Sequence, residues 1–139
     1  MKLEVVTPKG SALAAEVDEV TAPGARGEFG VLPGHTPFIS ALKPGVLVWR
    51  QKGGPRGVVA VGAGFAEVSG ADKVVVLTQR ALAAEQIDAA QAQKDLEEAD
   101  RQLKDWKAPV ESQAATAPSR EELESRRAWA QACVDARKV

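Results

Sequence analysis

Gly27-Glu28-Phe29-Gly30-Val31-Leu32-Pro33-Gly34-His35-Thr36-Pro37-Phe38 is the stretch on which the fold turns. Three glycines and two prolines brace it. Glycine admits bends closed to other residues, and proline locks φ and withholds an amide donor. Between these punctuators Phe29, Val31, Leu32 and Phe38 supply apolar anchors, while Glu28 and His35 put polar groups beside the bends. The pattern predicts a short strand, a tight turn and entry into a second strand of an all-β domain, with a stiff edge suited to docking.

Working outward, the neighbouring segments have the same character. Lys2 to Val6 reads as a first strand stopped by Thr7-Pro8-Lys9-Gly10, and Ala14 to Ala22 as a second stopped by Pro23-Gly24. Val46 to Arg50 runs into the turn Lys52-Gly53-Gly54-Pro55, and Gly57 to Ala63 resumes the pattern, which suggests a hairpin. Gly64 to Val68 and Val74 to Leu77 complete an expected seven or eight short strands. Strands so spaced, with no helical period between them, indicate an antiparallel β-sandwich or flattened barrel. Gly62 and Gly64 mark a bulge or a close backbone approach; Gly62-Ala63-Gly64 lacks the third glycine and the helix start of a dinucleotide fingerprint.

After Ala81 the period changes. Ala89, Ala92, Leu96, Ala99, Leu103 and Trp106 fall three or four apart, one stripe of an amphipathic helix. Glu85 and Asp88 complement the positive end of its dipole. Ala108 to Pro118 is a connector without period, and Ser119-Arg120-Glu121-Glu122 is a capping box opening a second helix that runs to near Arg137. The chain thus divides into a β domain over 1–84 and an antiparallel two-helix hairpin over 85–139. The first stripe is half alanine, and the second helix offers Leu123, Ala130 and Val134 with Arg127 interrupting. Each Ala in place of Leu forgoes about 1–2 kcal/mol of burial. A seam so thin allows the hairpin to detach and rearrange.

Composition narrows the function classes. The chain has 139 residues, 45% of them apolar, only 4% aromatic and none Tyr, so the core is built from Val, Leu and Ala. No apolar run approaches the roughly 20 residues that span a bilayer, and no secretory signal opens the chain, so a cytosolic location without membrane insertion is expected. A net charge of −1 argues against nucleic-acid binding. Residues 1–84 carry nine basic and seven acidic side chains and residues 85–139 nine and twelve, a net of +2 followed by −3. Within the second part, four basic residues from Arg126 onward face one acid, Asp135.

Catalytic and metal constellations are missing from the pattern. His35 is the sole histidine and Cys133 the sole cysteine, too few for a zinc site, and no metal is expected. Cys133 reads as a small buried hydrophobe. Ser11, Ser40 and Ser69 lack a nucleophile-elbow context, so an enzyme is not expected. His35 has two readings, a turn histidine bonding nearby backbone or a partner contact.

The opening stretch, with Leu42-Lys43-Pro44-Gly45, Leu3-Glu4-Val5-Val6-Thr7-Pro8 and Gly62-Ala63-Gly64-Phe65-Ala66-Glu67-Val68, resembles the epsilon subunit of bacterial and chloroplast-type F-type ATP synthase over nearly the whole length. The resemblance implies a non-catalytic central-stalk subunit, peripheral on the cytoplasmic face of the bacterial inner membrane. It would couple rotation of the c-ring to the catalytic head. It puts Glu28, Phe29 and Gly30 at the end that meets the c-ring, and His35 on the face near gamma. It implies that the helices, extended, carry Arg126, Arg127, Arg137 and Lys138 to acidic surfaces of the alpha/beta head and stall ATP hydrolysis. Some family members bind ATP through Ile-Asp-x-x-Arg-Ala and second-helix arginines. Ile87, Asp88 and Ala92 match, Arg127 matches one arginine, but Gln91 stands for the motif arginine and Gln131 for another. A neutral amide does not replace a guanidinium on phosphate, so no cofactor is expected. The alternative from another class is a free-standing β-sandwich adaptor or ligand-binding module with a static helical cap.

Overall fold

The computed structural model describes residues 1–110 and 117–139. Its strands are β1 (Lys2–Thr7), β2 (Gly10–Glu16), β3 (Glu19–Gly24), β4 (Gly27–Val31), β5 (Phe38–Leu42), β6 (Gly45–Arg50), β7 (Arg56–Val61), β8 (Gly64–Ser69), β9 (Lys73–Thr78) and β10 (Ala81–Ala83). A 3₁₀ turn over Ala84–Gln86 leads to the helices α1 (Ala89–Asp105) and α2 (Arg120–Lys138). The connector expected over 108–118 lies largely outside the described residues.

The strands follow the order β10-β7-β6-β3-β5-β8-β9-β1-β2, with β4 on the other flank of β3. β3 joins the two layers: Glu19 to Thr21 pair with Arg50 to Val48 of β6, and Gly24 pairs with Leu42 of β5. The result is a nearly closed β-sandwich followed by two helices. Two details depart from the sequence reading. Ten strands form among the described residues instead of seven or eight. β1 also lies parallel to β9, from Lys2↔Lys73 to Val6↔Leu77, in an otherwise antiparallel set. That pairing joins distant parts of the chain, where no local pattern can register it.

The second strand expected over Ala14 to Ala22 is two strands. β2 pairs with β1 in one layer and β3 with β6 in the other, so the chain must cross between layers at Val17-Asp18. Val17 is buried in the crossing, and Asp18 secures it: its amide donates to Arg50 O (2.8 Å), and its Oδ2 accepts from Lys52 N–H (2.7 Å). At Gly64 the expected close approach is found. A Cβ there would lie 1.8 Å from Leu77 O, across the β8–β9 pair.

Alternation along the strands fills the sandwich with Leu3, Val5, Val20, Leu47, Ala66, Val68, Val74 and Val76. β7 departs from alternation, because Val58, Val59, Ala60 and Val61 are all buried. Val59 and Val61 face the sandwich core, whereas Val58 and Ala60 join a second core with Ile87, Ala92, Leu96, Ala130, Ala132, Cys133, Val134 and Ala136. A strand covered on both faces reads as a continuous apolar run for this reason.

The helices are antiparallel: Trp106 Nε1 donates to Pro118 O (3.1 Å), and Arg127 pairs with Asp100. Their starts have the expected chemistry. Asp88 caps α1 by accepting from Gln91 N–H (3.0 Å), and Ser119 caps α2 by accepting from Glu122 N–H (3.1 Å). α1 packs on α2, and α2 in turn packs on β6 and β7. The hairpin is therefore glued along two seams, only one of which the helix stripes announce.

Candidate functional site

The braced stretch folds as an exposed edge. β3 and β4 form a hairpin closed at Gly24↔Gly27, with Glu28 opposite Pro23 and Phe29 opposite Ala22. Glu28 and Gly30 are exposed, and Phe29 is half-buried. The next turn is closed by His35 N–H donating to Leu32 O (3.1 Å). Pro33 and Gly34 occupy its centre, Gly34 at φ +79°, the combination a type II turn requires. Gly34 N–H also donates to Asp72 Oδ1 (3.1 Å), tying this turn to the one between β8 and β9.

His35 is exposed, and its Nδ1 lies 2.7 Å from Thr36 O, the local backbone bond that a turn histidine makes. Its ring sits 5.0 Å from that of Phe38, and Phe38 in turn meets Phe29 edge-on at 5.3 Å. One ring thus links Phe29 on the hairpin to His35 on the turn. Residues given separate partners by the sequence reading are here parts of one rigid cluster.

A second surface was not singled out in the sequence. On the outward face of the other layer Ala41 pairs with Phe65, Phe65 with Leu77, and Leu77 with Val6, a row across four strands. Phe65 is 57% exposed, Leu77 50%, and nearby Ile39 69%. The signal was present in the period-2 pattern. Ala66, Val68, Val74 and Val76 claim the inward positions, which leaves Phe65 and Leu77 as large apolar groups on the outward ones. Contiguous exposed apolar groups of this kind mark interaction surfaces.

The helical end contains a cavity of about 430 Å³ between α1, α2 and the β10 region, bordered by Ile87, Asp88, Gln91, Ala92, Arg80 and Arg126. Arg127, matched to the ATP motif by sequence, is turned to Asp100 and does not border it. Asp88 is engaged as the helix cap, and Gln91 Nε2 donates to Asp95 Oδ1 (2.9 Å). Three carboxylates, Asp88, Asp95 and Glu98, and two guanidiniums, Arg80 and Arg126, share this border. With carboxylates outnumbering guanidiniums, this border is less suited to a polyphosphate than a cluster of free cations. The four basic residues from Arg126 onward also diverge: Arg126 borders the cavity, Arg127 holds Asp100, Arg137 Nη1 donates to Ala84 O (3.2 Å), and Lys138 ends the helix. Cys133 is buried in the second core, at the floor of this cavity. Burial pushes its thiol above the ordinary value of 9.0, with Asp95 adding to the rise and Arg80 opposing it. Among the described residues no three His, Cys, Asp or Glu side chains converge as a metal site.

Residues 1–84 match the family model of the ATP synthase delta/epsilon chain β-sandwich domain. The ATP synthase epsilon chain of Geotalea uraniireducens is 48% identical over 104 residues, 75% of this chain and 74% of that protein. The chain belongs to the ATP synthase epsilon-chain family. The epsilon chain of Nitratidesulfovibrio vulgaris is 45% identical over 84% of this chain and 86% of its own length. Among solved structures, a chain of the Euglena gracilis mitochondrial ATP synthase OSCP/F1/c-ring assembly superposes with a TM-score of 0.75 at 28% identity, over 96% of this chain and 78% of that one. A chain from the central stalk and c-ring of the Tetrahymena thermophila enzyme shares the fold, with a TM-score of 0.65 at 14% identity over 99% of this chain and 96% of that one. As an epsilon-family member, the protein is a rotor subunit of the synthase central stalk and a non-catalytic accessory chain. No described helix is long and apolar enough to cross a membrane.

Proposed function

We propose that the β body transmits torque by holding two neighbours at adjoining surfaces. Glu28, Phe29 and Gly30 on the β3–β4 hairpin meet the polar loops of the c-ring, and His35 with the Ile39, Phe65 and Leu77 face meets gamma. The complex then places this chain peripherally on the cytoplasmic face of a bacterial inner membrane. The observation that carries the reading is the apolar row itself: large side chains stay exposed although the sandwich behind them is already filled. A change of Phe65→Glu leaves the isolated fold intact and weakens association with gamma about 30-fold or more, as loss of a central apolar anchor does. Undiminished co-purification with gamma contradicts the assignment.

The helical pair regulates. When α2 leaves the body, Arg126, Arg127, Arg137 and Lys138 become available to acidic surfaces of the alpha/beta head, and ATP hydrolysis stalls. Support comes from the folded arrangement, in which Arg127 and Arg137 are engaged within the chain and must be released first. Deleting the chain after Ala108 is expected to leave assembly intact and to raise ATPase activity of the complex. Unchanged activity removes the regulatory half. ATP is given no role in this reading, because carboxylates outnumber guanidiniums around the cavity bordered by Ile87, Asp88 and Ala92.

A further inference from the structure

The loop between β9 and β10 carries Arg80, whose guanidinium carbon lies 4.8 Å from the ring centre of Trp129 on α2. Arg80 is anchored from behind. Its carbonyl accepts from Gly62 N–H (2.9 Å) and from the hydroxyl of Thr78 (3.2 Å), a side chain only 6% exposed. The Thr78 hydroxyl also reaches Ala63 O (3.4 Å), so the backbone from which the arginine extends is held at a fixed point on the β body. Trp129 is half-buried against the second core, one helical turn from Cys133. The contact bridges the β body to the helix that must leave it.

From this geometry we infer that Arg80 and Trp129 form a latch that holds α2 on the β body without a nucleotide. The inference rests on the regulatory reading above and names the contact that sets its threshold. An arginine held over an indole gains from the ring's electron-rich face. The gain disappears when α2 detaches, because the ring is then carried out of the guanidinium's reach. The latch therefore weights the closed state alone and leaves the sandwich untouched.

Cys133, the sole cysteine, supplies the readout, since its thiol is buried with α2 docked and reachable when α2 lifts. The full chain is treated with the thiol reagent DTNB, and each rate is normalised to that of the same chain in denaturant. Both Arg80→Ala and Trp129→Leu should accelerate labelling, Arg80→Ala by about two- to fivefold. Arg80→Lys, which keeps the charge and loses the planar fork, should fall between wild type and Arg80→Ala. In the double variant Arg80→Ala should add no further acceleration to Trp129→Leu, and the denaturation midpoint of the β body, followed by amide protection at Leu47, Val74 and Val76, should not move. Local opening that is insensitive to Arg80→Ala, or single effects that multiply fully in the double variant, overturns the latch alone. Labelling that occurs only with global unfolding overturns the opening and the latch together.

Discussion

The sandwich core and the helical seam are built from different side chains, and the difference fits the proposed division between a stiff body and a movable helical pair. Inside the sandwich, Leu3, Val5, Val20, Leu47, Val74 and Val76 are essentially inaccessible and come from strands locked in register. The second core is assembled from Ala60, Ala92, Ala130, Ala132 and Ala136, with a few larger residues. Methyl-sized contacts bury less apolar area per ordered residue. A body that carries torque is thus joined to an appendage whose attachment depends on small apolar contacts and a few polar ones.

Changes that break this contrast are expected to rank as follows. Leu47→Ala should cost about 2–5 kcal/mol and lower the denaturation midpoint of the whole chain, because it opens a cavity in the sandwich. Leu96→Ala, at the helical seam, should cost about 2 kcal/mol of hairpin docking and leave the body's own midpoint in place. Circular dichroism at helical wavelengths alongside amide protection of Leu47, Val74 and Val76 distinguishes the two outcomes; a common shift in both signals breaks the division. Asp88→Ala removes the cap of α1 and should weaken the helix by about 1 kcal/mol, whereas Asp88→Asn should be nearly neutral because Asn also caps. If both variants lose the same stability, the carboxylate is needed for its charge and the capping account fails.

The smallest effect is in pH. Burial raises the Cys133 thiol in the docked state, so docking retains the proton more strongly than the open state does. The contribution is fully present below the ordinary value of 9.0 and is lost as pH rises beyond it. Hairpin docking should therefore weaken at alkaline pH, and Cys133→Ala should flatten that dependence. A thermal melt of the helical signal at a series of pH values measures it.

Much of the β body was legible because turns and alternation are local. Pro33 and Gly34 dictated the Leu32–His35 turn, and Lys52-Gly53-Gly54-Pro55 the β6–β7 hairpin. The parallel β1–β9 pair and the layer crossing at Val17-Asp18 were not, because both depend on partners more than thirty residues away. Both helix caps were announced by Asp88 and Ser119. The seating of α2 on β6 and β7 was missed, although the unbroken apolar run from Val58 to Val61 already indicated a strand covered on both faces. The exposed, braced edge could be located from its glycines and prolines. The Ile39, Phe65 and Leu77 face needed the strand register before it became one surface.

Native-state amide hydrogen exchange of the full chain tests the separation of rigid body from movable helices most directly. Amides of α1 and α2 should exchange together through an opening that leaves the amides of Leu47, Val74 and Val76 protected. A single opening free energy shared by helices and sandwich, with no intermediate in which the strands alone stay protected, contradicts the account.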